Sequence, residues 1–94
     1  MLTGTKSRMI YKIRLERSVL KDIKRLSKAD KGRIKQSVDQ LAENPRKGDP
    51  LKGQFKGLWR LRVGSYRIIY SIKDDQLTIL ILRIGHRKNV YEAS

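Results

Sequence analysis

At 94 residues the chain has room for one small domain with a single modest core. It carries no cysteine, one histidine, and 23 Lys or Arg against 9 Asp or Glu, for a net charge of +14. That inventory offers no disulfide framework and no thiolate metal site, provides poorly for any metal centre, and calls for a polyanionic partner.

The partner classes open to such a chain are nucleic acid, an anionic membrane surface and an acidic protein. The longest apolar stretch, Leu77–Leu82, is far too short to span a bilayer. No secretory leader pattern opens the chain, so no membrane partner and a cytoplasmic setting are expected. Met1–Arg8 is polar and is expected to be a flexible extension before a single domain over 9–94.

Met9–Leu15 alternates, with Met9, Tyr11, Ile13 and Leu15 on one face, which predicts a half-buried strand. The period then changes. Val19, Leu20, Ile23 and Leu26 fall at helical spacing, with Ser18 as the expected N-cap. A break near Ser27–Asp30 precedes a second helix from about Asp30 to Glu43, striped by Ile34, Val38, Leu41 and Ala42. Asn44-Pro45 ends it, because the residue before proline avoids the helical region. So short a connection makes the two helices an antiparallel pair.

Arg46–Gly57 holds Pro50, three glycines and the cations Arg46, Lys47, Lys52 and Lys56, and reads as a basic loop or a poorly formed strand start. Strands follow at about Leu58–Val63, Tyr66–Ile72 and Leu77–Ile84. Gly64-Ser65 suits a two-residue hairpin, since glycine accepts the positive φ that such a turn needs. Thr78–Leu82 is apolar on both faces and belongs inside the sheet. The expected architecture is α+β, in the order β-α-α-β-β-β, with a two-helix antiparallel hairpin packed on one face of a mainly antiparallel sheet.

Strand alternation lets Trp59, Leu61 and Val63 face the core while Arg60 and Arg62 share the other face; Arg67 follows just past the turn. Arginine suits phosphate, being planar, always charged and able to bind in a two-pronged way. The bland reading is a solvated basic surface. Placement on one sheet face, beside a segment carrying His86, Arg87, Lys88 and Tyr91, argues for a cluster built to meet a nucleic-acid phosphate. His86 is a candidate proton shuttle or an orienting strand-end residue. Tyr91 is a candidate general base, its phenolate favoured by nearby arginines, or a C-terminal anchor. Trp59, Tyr66 and Tyr70 read as core. With no Ser-His-Asp set, no phosphate loop and no paired carboxylates, one reaction fits: cleavage of RNA by its own 2′-hydroxyl, which needs positioning, a proton acceptor and charge stabilisation but no cofactor or metal.

Four segments together resemble the RelE toxins of the RelE/ParE toxin–antitoxin superfamily: Ser-Val-Leu-Lys-Asp-Ile-Lys-Arg-Leu (18–26), Pro-Leu-Lys-Gly (50–53), Leu-Trp-Arg-Leu-Arg-Val-Gly-Ser-Tyr-Arg-Ile-Ile-Tyr (58–70) and Ile-Gly-His-Arg-Lys-Asn-Val-Tyr (84–91). The resemblance implies a ribosome-dependent, metal-independent endoribonuclease that cuts the A-site codon of mRNA. It implies that Arg60, Arg62 and Arg67 hold the phosphate, that Arg87 assists the leaving 5′-oxygen and that Tyr91 activates the 2′-hydroxyl. Arginines at 60 and 62 stand where well-studied members carry lysines, and the short Arg87-to-Tyr91 spacing keeps His86 as the alternative acid or base. Lys47, Lys52, Lys56 and Lys88 are expected to touch RNA or ribosome. The implied partners are the ribosome, its mRNA and an acidic RelB-like antitoxin. Two other readings stand beside it: a ParE-like gyrase inhibitor and a nucleic-acid-binding module without catalysis. A toxin that has lost activity would be a fourth case.

Overall fold

The structure, a computed structural model, describes residues 10–86. The elements run β1 (Lys12–Leu15), α1 (Arg17–Lys24), α2 (Lys28–Glu43), β2 (Asp49–Pro50), β3 (Trp59–Val63), β4 (Tyr66–Lys73) and β5 (Thr78–His86). The strands form one five-stranded sheet in the order β1-β5-β4-β3-β2. β1 pairs with β5 in parallel; the other pairings are antiparallel. The helical hairpin covers one face, as the sequence pattern implies.

The core lies between that hairpin and the sheet. Val19 and Leu26 come from the first helical segment and its end, Ile34 and Leu41 from α2, and Leu61, Ile68, Tyr70, Ile79, Ile81 and Ile84 from the strands. Each fully buried aliphatic side chain contributes about 1.5–3 kcal/mol. Trp59 stacks on Tyr70 with ring centroids 6.3 Å apart, so both are core aromatics. β5 lies between β1 and β4, and its Thr78, Ile79 and Ile81 are buried.

Local details differ from the sequence expectation. Ser18 is not a cap: α1 starts at Arg17, two residues earlier than that cap implies, and Glu16 holds the N-cap place without a side-chain hydrogen bond. Ser27 is the working cap. Its Oγ accepts from the Asp30 N–H at 3.1 Å, so α2 begins at Lys28 rather than Asp30. The segment 46–57 contributes a fifth, two-residue edge strand, β2, where Asp49 pairs with Arg60 and Pro50 with Trp59. Proline is tolerated there because an edge strand has one side free of ladder hydrogen bonds.

Two polar ties close the end of the sheet near the β4–β5 turn. The buried Tyr70 hydroxyl donates to the Pro45 carbonyl at 2.7 Å and accepts the Gly48 N–H at 3.2 Å. Gly48 is there because nothing larger fits: a Cβ would stand 2.5 Å from the Arg60 carbonyl oxygen and 2.7 Å from that hydroxyl. On the surface, Asp74 accepts from the Tyr11 hydroxyl at 2.6 Å and from Arg46 at 2.7 Å. Beyond the core, Ile13, Leu15, Ile23, Leu26, Ile34 and Val38 line an open apolar groove of about 380 Å³ between the helices and β1. No helix among the described residues is long and apolar enough to cross a membrane.

Candidate nucleic-acid interface

β3 and β4 place the arginines. Their register sets Arg62 directly across from Arg67 and Arg60 across from Ile69. Leu61 and Ile68 face the helices, so Arg60, Arg62 and Arg67 share the opposite face. Like charges directly opposite on one face oppose folding. The tight turn at Gly64, with φ +60, brings the two guanidinium-bearing residues together at the hairpin's end. On the far side of β4, Arg67 pairs with Gly85, which puts no side chain beside it. A cationic pair next to a position without a side chain is room for an anion.

The three arginines are not equivalent. Arg62 is exposed and Arg67 is half-buried. The Arg60 side chain is only 20% exposed and lies 3.8 Å from Asp49 of β2, so it is held into the edge of the sheet. From sequence, Arg33 stands out only as a thin base-reading candidate at the start of the second helix, in Lys31-Gly32-Arg33, and not as a neighbour of the arginine strands. It belongs to α2, yet its guanidinium reaches the hairpin tip: a Cβ on Gly64 would stand 3.6 Å from it. Only the folded contact between α2 and the β3–β4 turn reveals that cation.

His86 lies elsewhere. It pairs with Tyr66, and their rings meet edge to face at 5.9 Å and 78°. Tyr66 alternates with Ile68 and Tyr70, so His86 turns toward the helix side, away from Arg62 and Arg67. Burial and the neighbouring Asp30 carboxylate hold the Tyr66 phenol above its ordinary range. Arg87, Lys88 and Tyr91 lie outside the described residues, as does Met1–Arg8.

The lysines expected to touch RNA also lie apart from the arginine pair. Lys47 follows Arg46 at the β4–β5 end and its Nζ donates to Gln40 Oε1. Lys52 and Lys56 flank the turn Gly53–Phe55 just before β3, at that same end. All three are exposed. Among the described residues, no three His, Cys, Asp or Glu side chains gather as metal ligands.

A hairpin of helices on a mixed sheet, with a cationic opposite face, is the architecture of a class of small toxins from type II toxin–antitoxin systems. The chain belongs to that family: the model described as the ParE toxin of the type II toxin–antitoxin system parDE matches residues 13–91. It is 31% identical over 85 residues to the toxin RelG of Mycobacterium tuberculosis, spanning 88% of this chain and 98% of RelG. The toxin–antitoxin complex RelBE2 of M. tuberculosis contains a chain of the same fold, with a TM-score of 0.80, 28% identity, and coverage of 90% of this chain and 100% of that one. The archaeal RelE–RelB complex of Pyrococcus horikoshii gives a TM-score of 0.71 at 32% identity, covering 87% of this chain and 100% of its counterpart. The chain is thus a toxin of the RelE/ParE superfamily, as the four sequence segments implied.

Proposed function

We propose that this toxin cuts ribosome-bound mRNA within the A-site codon. The observation that carries the reading is the Arg62–Arg67 cross-strand pair, with Arg60 on the same face. Two guanidinium groups held opposite each other on one sheet face form a local concentration of positive charge that attracts an anion. A phosphate at this place accepts hydrogen bonds from both guanidinium groups and offsets part of their charge. In the attack, the 2′-oxygen forms a bond to phosphorus, the bond to the 5′-oxygen breaks, and a cyclic phosphate and a 5′-hydroxyl result. Arg60, Arg62 and Arg67 take up the charge that grows on the phosphoryl oxygens. Arg87 assists the leaving oxygen, and Tyr91 takes the 2′-proton. The turn of His86 toward the helix side favours Tyr91 for that proton. No cofactor enters these steps.

Antitoxin complexes among its structural relatives support an antitoxin partner for this chain too. The open groove fits one: its lining is apolar apart from Lys31, Lys35 and Asp39, of which Lys35 and Asp39 pair with each other at 3.1 Å. An acidic amphipathic segment would bury its apolar side there and meet Lys31. The cytoplasm is where such a toxin would meet ribosomes and antitoxin.

Adding the purified toxin to a translating system and mapping message ends tests the reading. Cuts confined to ribosome-bound codons are expected. Intact messages with arrested growth would overturn it. The family description itself names ParE, which keeps gyrase inhibition as the second reading. Double-strand breaks that require gyrase would favour that alternative.

A further inference from the structure

Around the end of the sheet from Arg67 lies a second, smaller notch of about 170 Å³. Tyr66 and His86 form its aromatic side, and Arg25 and Arg83 bring cations to it. Its wall is fixed by Asp22, whose side chain is only 13% exposed. β1 ends at Leu15, opposite Ile81, so residues 82–86 of β5 have no strand on that edge among the described residues. Asp22 takes over there: its Oδ2 accepts the Ile84 N–H at 3.0 Å and lies 3.9 Å from Arg83 Nε. That carboxylate therefore holds both the strand end and an arginine in place.

A merely solvated charge cluster needs no pocket and no aromatic wall. Here an exposed imidazole meets a half-buried phenol ring edge to face, with guanidinium groups beside them. In an edge-to-face pair one ring presents its edge, and its own faces stay available to a third ring. Aromatic faces with adjacent arginines are how proteins take up unstacked bases of single-stranded RNA. Position agrees. The pair Tyr66–His86 is the next rung along from Arg67–Gly85, on the other face, and Gly85 raises no side chain on the arginine face. The arginine pair and the notch thus occupy adjacent rungs of the β4–β5 ladder on opposite faces, within the span of neighbouring nucleotides.

We propose that this notch is a subsite for the base of a nucleotide flanking the cut, with His86 as a stacking residue rather than a proton shuttle. This rests on the RNA reading above. The chain has one histidine, so its imidazole protons give an unambiguous NMR signal. The probe is a trinucleotide made uncleavable by 2′-deoxy sugars, compared with the same backbone lacking its bases. The intact probe should shift the His86 resonances saturably and bind about tenfold tighter than the abasic one. Arg25→Ala should weaken that shift without abolishing it. No shift with either probe, or equal shifts and affinities with both, would overturn the subsite. This outcome is separate from the fate of the nuclease reading, which message-end mapping decides without reference to His86.

Discussion

The two ends of the sheet treat their cations in opposite ways. At the β4–β5 end, Arg46 and the Tyr11 hydroxyl both converge on Asp74, and Lys47 meets Gln40. At the β3–β4 end, the residue directly across from Arg62 is Arg67, and α2 adds Arg33 at the tip. The first end ties Arg46 and Tyr11 to one carboxylate and closes the fold. The second sets two arginines directly across from each other on one sheet face. Like charge held together by a rigid hairpin is a preorganised anion site, because the protein has already met the cost of assembling it.

The sharpest way to break this contrast is to remove charge at the cationic end. Arg67→Ala should cut message cleavage by about 10²-fold or more, read from mapped ends in a translating system. Arg62→Ala should do likewise and yet leave stability in urea unchanged or raised by a few tenths of a kcal/mol, since it relieves repulsion. A large loss of stability with Arg62→Ala would mean that the pair holds the fold rather than an anion.

The closed end should respond in stability instead. Gly48→Ala forces a methyl against the Arg60 carbonyl and the Tyr70 hydroxyl; overpacking of this kind costs about 1–3 kcal/mol. In a domain of this size each kcal/mol lowers Tm by about 4–8 °C. Tyr70→Phe leaves the Pro45 carbonyl and the Gly48 N–H without this partner, for a loss of about 1–2 kcal/mol by urea titration. Because both changes strike one contact, the double variant should lose less than the two losses added together.

The smallest effect is expected at Asp74. The Tyr11 hydroxyl and Arg46 hold its carboxyl below the ordinary range. A depressed carboxyl favours the folded state above its unfolded pKa of about 3.9, and that contribution is lost as pH falls through the lower folded value. Asp74→Asn should therefore flatten the acid side of the stability curve and change little near neutrality. The contact is exposed, so the change should be small. Tyr11 titrates in the opposite sense: Asp74 first of all holds its phenol above the usual value.

Much of this was legible along the chain. Period-two and period-3.6 patterns located the strands and both helices, since burial on one face dictates those spacings whatever the partner. The alternation Trp59–Val63 was enough to put Arg60 and Arg62 together opposite the core. The first helix start was less legible, because Glu16 fills the N-cap place without the side-chain bond that marks a cap in sequence. Two-residue β2 was invisible as a strand; it exists only because β3 offers an open edge.

What sequence alone determined, then, is which residues are cationic, which faces are apolar and which family these segments resemble. Those follow from composition and local periodicity. Register and packing decided the rest. They set Arg62 against Arg67 and left Gly85 beside that pair; they sank Arg60 toward Asp49, turned His86 to the helix side and brought Arg33 from α2 to the hairpin tip. The physical reason is that a strand's alternation fixes side-chain faces only relative to itself. Which residues of different strands meet depends on a pairing between distant parts of the chain, and a slip of one residue reverses every face.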